Sequence, residues 1–275
     1  SDQQQQSIFK KKAKDTKHYI RMKLSGLFIE EKPYEPPFTF DFNFNPFGNN
    51  PEKGTQLRTW IEKIDELAED DDIDGLIIDI EPVRAGWAKR MEIQHALQRF
   101  QKQDKNIIVY AEKGIGNVDY LLIAMADEIY LNNETQIWLK GLSFEINFYK
   151  GLLDTLSIVP EVIRVNYDGK SYKTAMDPFL RRTMSREMKE NYGDLLGDLN
   201  EVFLDGISQR FSNDKHKTQE IINNGPYLIG ENIISSGLAD SIMYPDQFDD
   251  YINSMNDEKV TITKWKDIDQ SDFYI

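Results

Sequence analysis

Short runs of β-branched and apolar residues alternate with amphipathic stretches along most of this chain, and that alternation limits the fold more than any other feature. Gly75-Leu76-Ile77-Ile78-Asp79-Ile80, Ile107 to Tyr110, Glu128 to Leu131 and Val162 to Val165 have the length and residue types of buried strands. Residues 19–30 alternate well enough for a first strand. Leu57, Trp60, Ile61, Ile64, Leu67 and Ala68 mark one helix face, with Thr55 as a candidate N-cap. Ile93, Ala96, Leu97 and Phe100 mark a second face, Tyr120 to Ala126 a short buried helix, and Phe144, Phe148, Leu152 and Leu156 a further face. Met188, Tyr192, Leu195, Leu196, Leu199, Val202 and Phe203 predict a long amphipathic helix within 185–211. A shorter helix follows near 217–224, and 246–263 gives a last helix and strand. Strands interleaved with helices in this way predict an α/β fold, a mostly parallel sheet flanked by helices. The 275 residues can bury a sizeable core. Residues 1–17 read as a flexible, polar and basic lead-in, and 18–275 as one α/β domain without internal repeats.

Charge and composition exclude several kinds of chemistry. Lysine and arginine number 33 against 47 aspartates and glutamates, a net −14, so a nucleic-acid backbone is not an expected partner. With no cysteine there is no disulfide, thiol nucleophile or thiolate metal site. His18, His95 and His216 share no ligand spacing, and the carboxylates of Glu69 to Asp74 read as a solvated helix end. No metal or cofactor is expected. No apolar run approaches the ~18 residues that cross a bilayer. The opening Ser1-Asp2-Gln3-Gln4-Gln5-Gln6 looks like the interior of a protein, so an anchor outside this sequence is expected. Phe38, Phe40, Phe42 and Phe44 recur every second residue among Pro33, Pro36, Pro37 and Pro46, with Phe47 after them. That spacing puts four rings on one side of an extended segment. It is either an edge packing on its own domain or an apolar lip for an oligomer, a membrane surface or an apolar peptide.

One stretch carries candidate chemistry: Tyr172-Lys173-Thr174-Ala175-Met176-Asp177-Pro178-Phe179. It lies between a strand-like run and the long helix, where α/β folds tend to place functional groups. Lys173 sits there between an aromatic and small or apolar neighbours. Partial desolvation would lower its pKa and make it a base at neutral pH, although most loop lysines are simply solvated.

This stretch, followed by Arg181-Arg182-Thr183-Met184-Ser185, resembles the Tyr-Lys-Ser-Ala-x-Glu-Pro-Phe…Met-Ser signature of the signal peptide peptidase A family, membrane-bound serine peptidases with a Ser/Lys dyad. Asp74 to Ile80 resembles the family's first core strand, Asp127-Glu128-Ile129-Tyr130-Leu131 its Ala-Asp-x-Ile-Tyr segment, and Gly141-Leu142…Tyr149-Lys150-Gly151-Leu152-Leu153-Asp154 a later helix. Gly237-Leu238-Ala239-Asp240 is similar to its Gly-Leu-x-Asp. The resemblance runs from about residue 18 to 270. It implies a crotonase-like or Clp-protease-like fold, with Lys173 as general base.

The chain departs from the family at the other catalytic parts. Alignment on Tyr120-Leu121-Leu122-Ile123-Ala124 puts Asn117-Val118-Asp119 where the nucleophilic serine would stand. Lys113 to Asp119 contain no serine, and Gly114 and Gly116 read as turn residues. Glu81-Pro82-Val83-Arg84-Ala85-Gly86-Trp87 replaces the family's Pro-Gly-Gly oxyanion loop. In the family's long form, two tandem copies divide the work: the first supplies the lysine, the second the serine and oxyanion loop. The resemblance therefore implies the lysine-bearing half of an oligomeric, membrane-anchored peptidase, inactive alone. Its soluble domain would lie on the extracytoplasmic side, with hydrophobic signal-peptide fragments as substrate and a serine-bearing second repeat as partner. Lys170 is the alternative base; Ser171 and Ser185 are weak nucleophile candidates, Ser185 reading better as the long helix's N-cap. The competing readings are a catalytically inactive scaffold or oligomerisation domain and, against the altered glycine loop, a crotonase-type enzyme acting on acyl thioesters.

Overall fold

The computed structural model describes residues 16–31, 54–163, 172–254 and 259–267. Its elements run in the order β1 (Thr16–Ile29), β2 (Thr55–Gln56), α1 (Leu57–Glu69), β3 (Gly75–Arg84), α2 (Trp87–Gln101), β4 (Asn106–Ala111), β5 (Ile115–Gly116), α3 (Asn117–Ile123), β6 (Glu128–Leu131) and β7 (Ile137–Trp138). Then come α4 (Lys150–Thr155), α5 (Asp177–Leu180), α6 (Arg186–Ser208), α7 (Lys215–Asn224), α8 (Gly230–Ser236), β8 (Ser241–Ile242), α9 (Pro245–Ser254) and β9 (Lys259–Lys264). The chain forms two compact units, one of residues 1–139 with 206–275 and one of residues 140–205.

The first unit is built on a parallel sheet in the order β2-β1-β3-β4-β6-β8, with β9 also paired to β1. Its central strands read as continuous apolar runs because both faces are covered. Leu76, Ile77 and Ile78 of β3 and Ile107, Ile108 and Val109 of β4 are all fully buried. On one face, Phe248 and Ile252 of α9 pack with Tyr19, Ile77, Ile108, Tyr110 and Tyr130. The Tyr110 and Phe248 rings stack there with centroids 4.5 Å apart. Gly75 is needed at the start of β3, where a Cβ would come within 2.4 Å of the Tyr19 ring. Helices α1 and α2 bury the faces expected from their spacing, and Arg99 joins them through a two-bonded pair with Asp65. Lys105 donates to the last carbonyls of α1, at Leu67 and Asp70, closing the acidic turn from inside. Gly237, at φ 78°, ends α8 in the left-handed conformation that glycine adopts without strain.

The second unit holds α4, α5 and α6 up to Asp205, and no strand among its described residues. Here the structure corrects three expectations. Val162 and Ile163 form no strand, and Ile163 is fully exposed; this unit offers no described strand for them to pair with. The remainder of that run lies outside the described residues. The helix face expected over Phe144 to Leu156 shrinks to α4, with Phe144 and Phe148 in irregular chain. Leu152 and Leu156 are more than half exposed, and a short helix without a buried face gains too little to extend. Thr55 does not cap α1: it pairs with Phe28 in β2, and Gln56 takes the cap position. The aromatic segment from Phe38 to Phe47, Lys170 and Ser171 lie outside the described residues.

Candidate functional site

In the first unit, the two turns that the sequence resemblance assigned to a serine nucleophile and its oxyanion donors are joined by one ion pair. The register between β1 and β3 slips between Leu24/Ile80 and Gly26/Val83, so β3 carries the extra residue of a bulge just before Val83. After Arg84 the chain turns through Ala85 to Gly86, the N-cap of α2. From the first turn of α2, Arg90 reaches back into that turn. Its guanidinium donates to Ala85 O (3.1 Å), Val118 O (3.0 Å), Asp119 Oδ1 (2.8 Å) and Val83 O. Asp119 Oδ1 also accepts the backbone N–H of Val83 at 3.2 Å. Both side chains are nearly removed from solvent, 8% and 14% exposed.

Asp119 stands in the first turn of α3, where the helix dipole favours a carboxylate. Gly116 precedes this helix as its N-cap and Asn117 opens it. The arrangement is therefore an Arg–Asp staple across two turns. It consumes the Val83 N–H and holds a negative charge where an oxyanion site would need donors. With Asn117 at the head of α3, this turn has no hydroxyl nucleophile. Sequence reading singled out Asn117 and the stretch from Glu81 to Trp87 but not the staple. The signal was present: Arg90, Ile93, Gln94 and Leu97 occupy i, i+3, i+4 and i+7 of a buried helix face.

In the second unit, the stretch around Lys173 is a pinned turn leading into α5. Tyr172 is held against α6 by two bonds, its hydroxyl donating to Glu190 Oε2 (3.1 Å) and its carbonyl accepting from Asn191 (3.4 Å). Thr174 and Asp177 are buried, and Asp177 N donates to Thr174 O at 2.9 Å. Ser185 Oγ donates to Asp177 Oδ2 at 2.5 Å and accepts Met188 N at 3.2 Å. Ser185 is thus the N-cap of α6, as its position suggested, and is engaged there rather than placed as a nucleophile. On the other flank, Tyr149 N donates to Pro178 O at 2.7 Å and the Tyr149 and Phe179 rings stack at 5.6 Å. Arg182 and Lys150 both pair with Asp154, holding its carboxyl below the usual carboxylate range.

Lys173 is the projecting residue of this turn. Its side chain is exposed and has no hydrogen-bond or ion-pair partner among the described residues. Its exposure agrees with the solvated-loop reading of this lysine rather than the partly desolvated one. Tyr172, Met176 and Phe179 of the same stretch are each more than a third exposed, apolar surface close to Lys173 in the sequence. The histidines do no common work: His18 Nε2 lies 2.8 Å from Thr263 Oγ1, His95 is exposed, and His216 stands 3.6 Å from Glu220. Among the described residues no group of His, Asp and Glu is arranged to hold a metal ion.

Comparison with known proteins gives one family and several relatives. The profile of peptidase family S49 matches residues 99–261. The chain is 30% identical over 220 residues to the chloroplastic serine protease SPPA of Arabidopsis thaliana, covering 80% of this chain and 31% of that protein. It is 31% identical over 169 residues to Protease 4 of Haemophilus influenzae, covering 61% of this chain and 26% of the relative. The chain thus spans less than a third of the length of either relative. Among solved structures, it is similar to the membrane-bound stomatin-specific protease 1510-N, with a TM-score of 0.45 and 11% identity over 90% of this chain and 97% of that one. An enoyl-CoA hydratase/isomerase from Marinobacter aquaeolei gives a TM-score of 0.43 and 9% identity over 72% of this chain and 64% of its own.

Proposed function

The chain belongs to peptidase family S49, and from that premise we propose that it is the lysine-bearing half of a Ser/Lys-dyad endopeptidase whose serine comes from a second repeat. The observation that carries this reading is the division of labour within the chain. The lysine turn is built and pinned, with the exposed ammonium unpaired among the described residues, while the turn before α3 is stapled by Arg90 and Asp119 and bears Asn117. A dyad needs its base within hydrogen-bond reach of a hydroxyl, and Lys173 has none among the described residues.

Docking of a serine-bearing repeat over Tyr172, Met176 and Phe179 would cover Lys173 as well. Removal from water disfavours the ammonium and lowers the lysine's pKa toward neutrality. Neutral Nζ then takes the proton from the serine Oγ as that oxygen attacks the peptide carbonyl. The resulting ammonium returns a proton to the leaving amine as the C–N bond breaks. The oxyanion donors come with the serine, since the Val83 N–H is already taken by Asp119. Hydrophobic peptides such as cleaved signal-peptide fragments suit that apolar surface. The full enzyme would work as an oligomer, held to the membrane by an anchor outside this sequence, on its extracytoplasmic side. Among the described residues no helix is long and apolar enough to cross a membrane.

The test is hydrolysis of an apolar peptide by the full-length protein carrying Lys173→Ala or Lys173→Arg. Both are expected to lose about 10²–10⁴-fold in kcat with unchanged thermal stability, because arginine keeps the charge but cannot act as a base. Retained activity in either variant removes Lys173 from the mechanism. The staple also favours a second reading, an inactive scaffold. In that case the full-length protein would lack hydrolysis even with Lys173 intact.

A further inference from the structure

Strand β1 is paired along one side by β3, but along its other side by two short strands that leave an opening. β9 covers Thr16 to Arg21 and β2 covers Phe28 and Ile29. Between them, Met22 to Leu27 have no strand partner on that side among the described residues. Gly54 closes against the far end, so near that a Cβ there would stand 2.8 Å from Leu27 O. The opening thus runs from Met22 to Gly26.

The direction of the backbone groups follows from His18. Its N–H donates to Asp74 Oδ2 (2.7 Å) and its C=O accepts from Asp74 N (2.8 Å), so His18 addresses the β3 side. Alternation along the strand then turns the N–H and C=O of Lys23 and Ser25 toward the opening. A strand edge without a partner among the described residues is a template for a further strand.

A cavity of about 470 Å³ lies against the opening, lined by Met22, Lys23, Asp79, Lys264, Trp265 and Lys266, with Arg21 at its back. Arg21 is spent on Asp79 (2.9 Å) and Asp249 (2.6 Å), and Lys23 on Glu81 (3.0 Å). Lys264 and Lys266 have no ion-pair partner among the described residues, in a chain whose net charge is −14. Between them Trp265 is fixed from below: Lys63 Nζ donates to its carbonyl (3.1 Å) and lies 4.4 Å from its ring centroid.

We propose that the open edge of β1 is a docking site for an extended acidic peptide segment. The segment adds a short strand along Met22 to Gly26, bonds to the backbone of Lys23 and Ser25, and sets carboxylates against Lys264 and Lys266. Main-chain bonds supply shape without sequence preference, and the two lysines select the charge. Nothing in this assignment depends on Lys173 being a base.

Three probes test it on the full chain: a capped peptide alternating Glu and Val, the same peptide with Lys for Glu, and the Glu form N-methylated at alternate amides. Binding is read by tryptophan fluorescence, with Trp265→Phe as control, and by amide hydrogen exchange at Lys23 and Ser25. The expected result is fast exchange at both amides without peptide and slowing by the Glu peptide alone. The Lys264→Glu, Lys266→Glu double variant should bind about tenfold more weakly or worse. Amides already protected without peptide would show that the chain fills its own edge, and the proposal falls. It falls equally if the N-methylated peptide binds as well as its parent, which would mean charge alone, or if no probe binds.

Discussion

Asp119 carries two donors on one carboxylate oxygen, the Arg90 guanidinium and the Val83 N–H, and neither has water to fall back on. Asp119→Ala leaves a buried cation and an unpaired N–H, so it should destabilise the protein by about 3–5 kcal/mol in urea unfolding. Replacing both partners together, Arg90→Met with Asp119→Leu, should cost less than the sum of the two single changes, because no charge is stranded. Additive losses would mean that the pair is not coupled. The staple also bears on catalysis. Asn117→Ser restores a hydroxyl at the head of α3, yet this chain should gain no peptidase activity from it, since the nearest candidate oxyanion donor stays occupied. Activity in Asn117→Ser alone would show that the staple opens readily.

At the scale of elements, the start of α6 ties a cap to the lysine turn. Ser185→Ala removes the side-chain acceptor of Met188 N and the donor to buried Asp177. The cap alone is worth about 1 kcal/mol, and loss of one hydrogen-bond donor to the buried carboxylate, which keeps Arg181 at 4.0 Å, adds to it. Thermal unfolding should fall accordingly, and amide exchange at Thr174 to Phe179 should quicken; Ser185→Thr should restore both, whereas an effect confined to α6 would uncouple cap and turn. Ser185 was readable in sequence because capping is local, and so were the central strands, whose β-branched runs are buried on both faces. Helix faces on the first unit were readable for the same reason: Leu57, Trp60, Ile64 and Leu67 have a sheet to cover. The second unit defeated the same rules. Its Phe144-to-Leu156 spacing is helical, and Val162-Ile163 is strand-like, but the described structure buries neither, and periodicity has meaning only against a surface. The Arg90–Asp119 contact joins residues 29 apart in sequence. Only the oddity of an arginine at an apolar position pointed to it. Lys173 was found through its motif neighbours, while its solvent exposure follows from the turn's surroundings, which no local pattern records.

For the whole molecule, the buried tyrosines set a limit on alkaline stability. Burial pushes the Tyr110 phenol up to about 12, with Glu112, Asp249 and Asp79 adding to the effect. Burial raises Tyr130 further, and the hydrogen bond to Glu128 adds to it. Tyr120 is raised by complete burial, its hydroxyl donating to Leu238 O at 2.8 Å. In the unfolded chain each returns to its ordinary value of 10.0. Below that pH both states are protonated, and these groups leave stability unchanged with pH. Above it the unfolded state has released protons that the folded state retains, so stability falls as pH rises toward the folded values. Each such tyrosine contributes a slope of about 1.4 kcal/mol per pH unit. Urea unfolding should therefore be nearly level in these groups' contribution up to pH 10 and decline steeply above it, with the tyrosinate absorbance of the buried rings, over that of the exposed Tyr149, Tyr172 and Tyr244, appearing together with unfolding. Tyr110→Phe removes one titrating group and should make the decline shallower while leaving the onset in place. If tyrosinate beyond that of the exposed rings appears well before unfolding, or if Tyr110→Phe leaves the slope as it was, the buried tyrosines do not govern the alkaline limit.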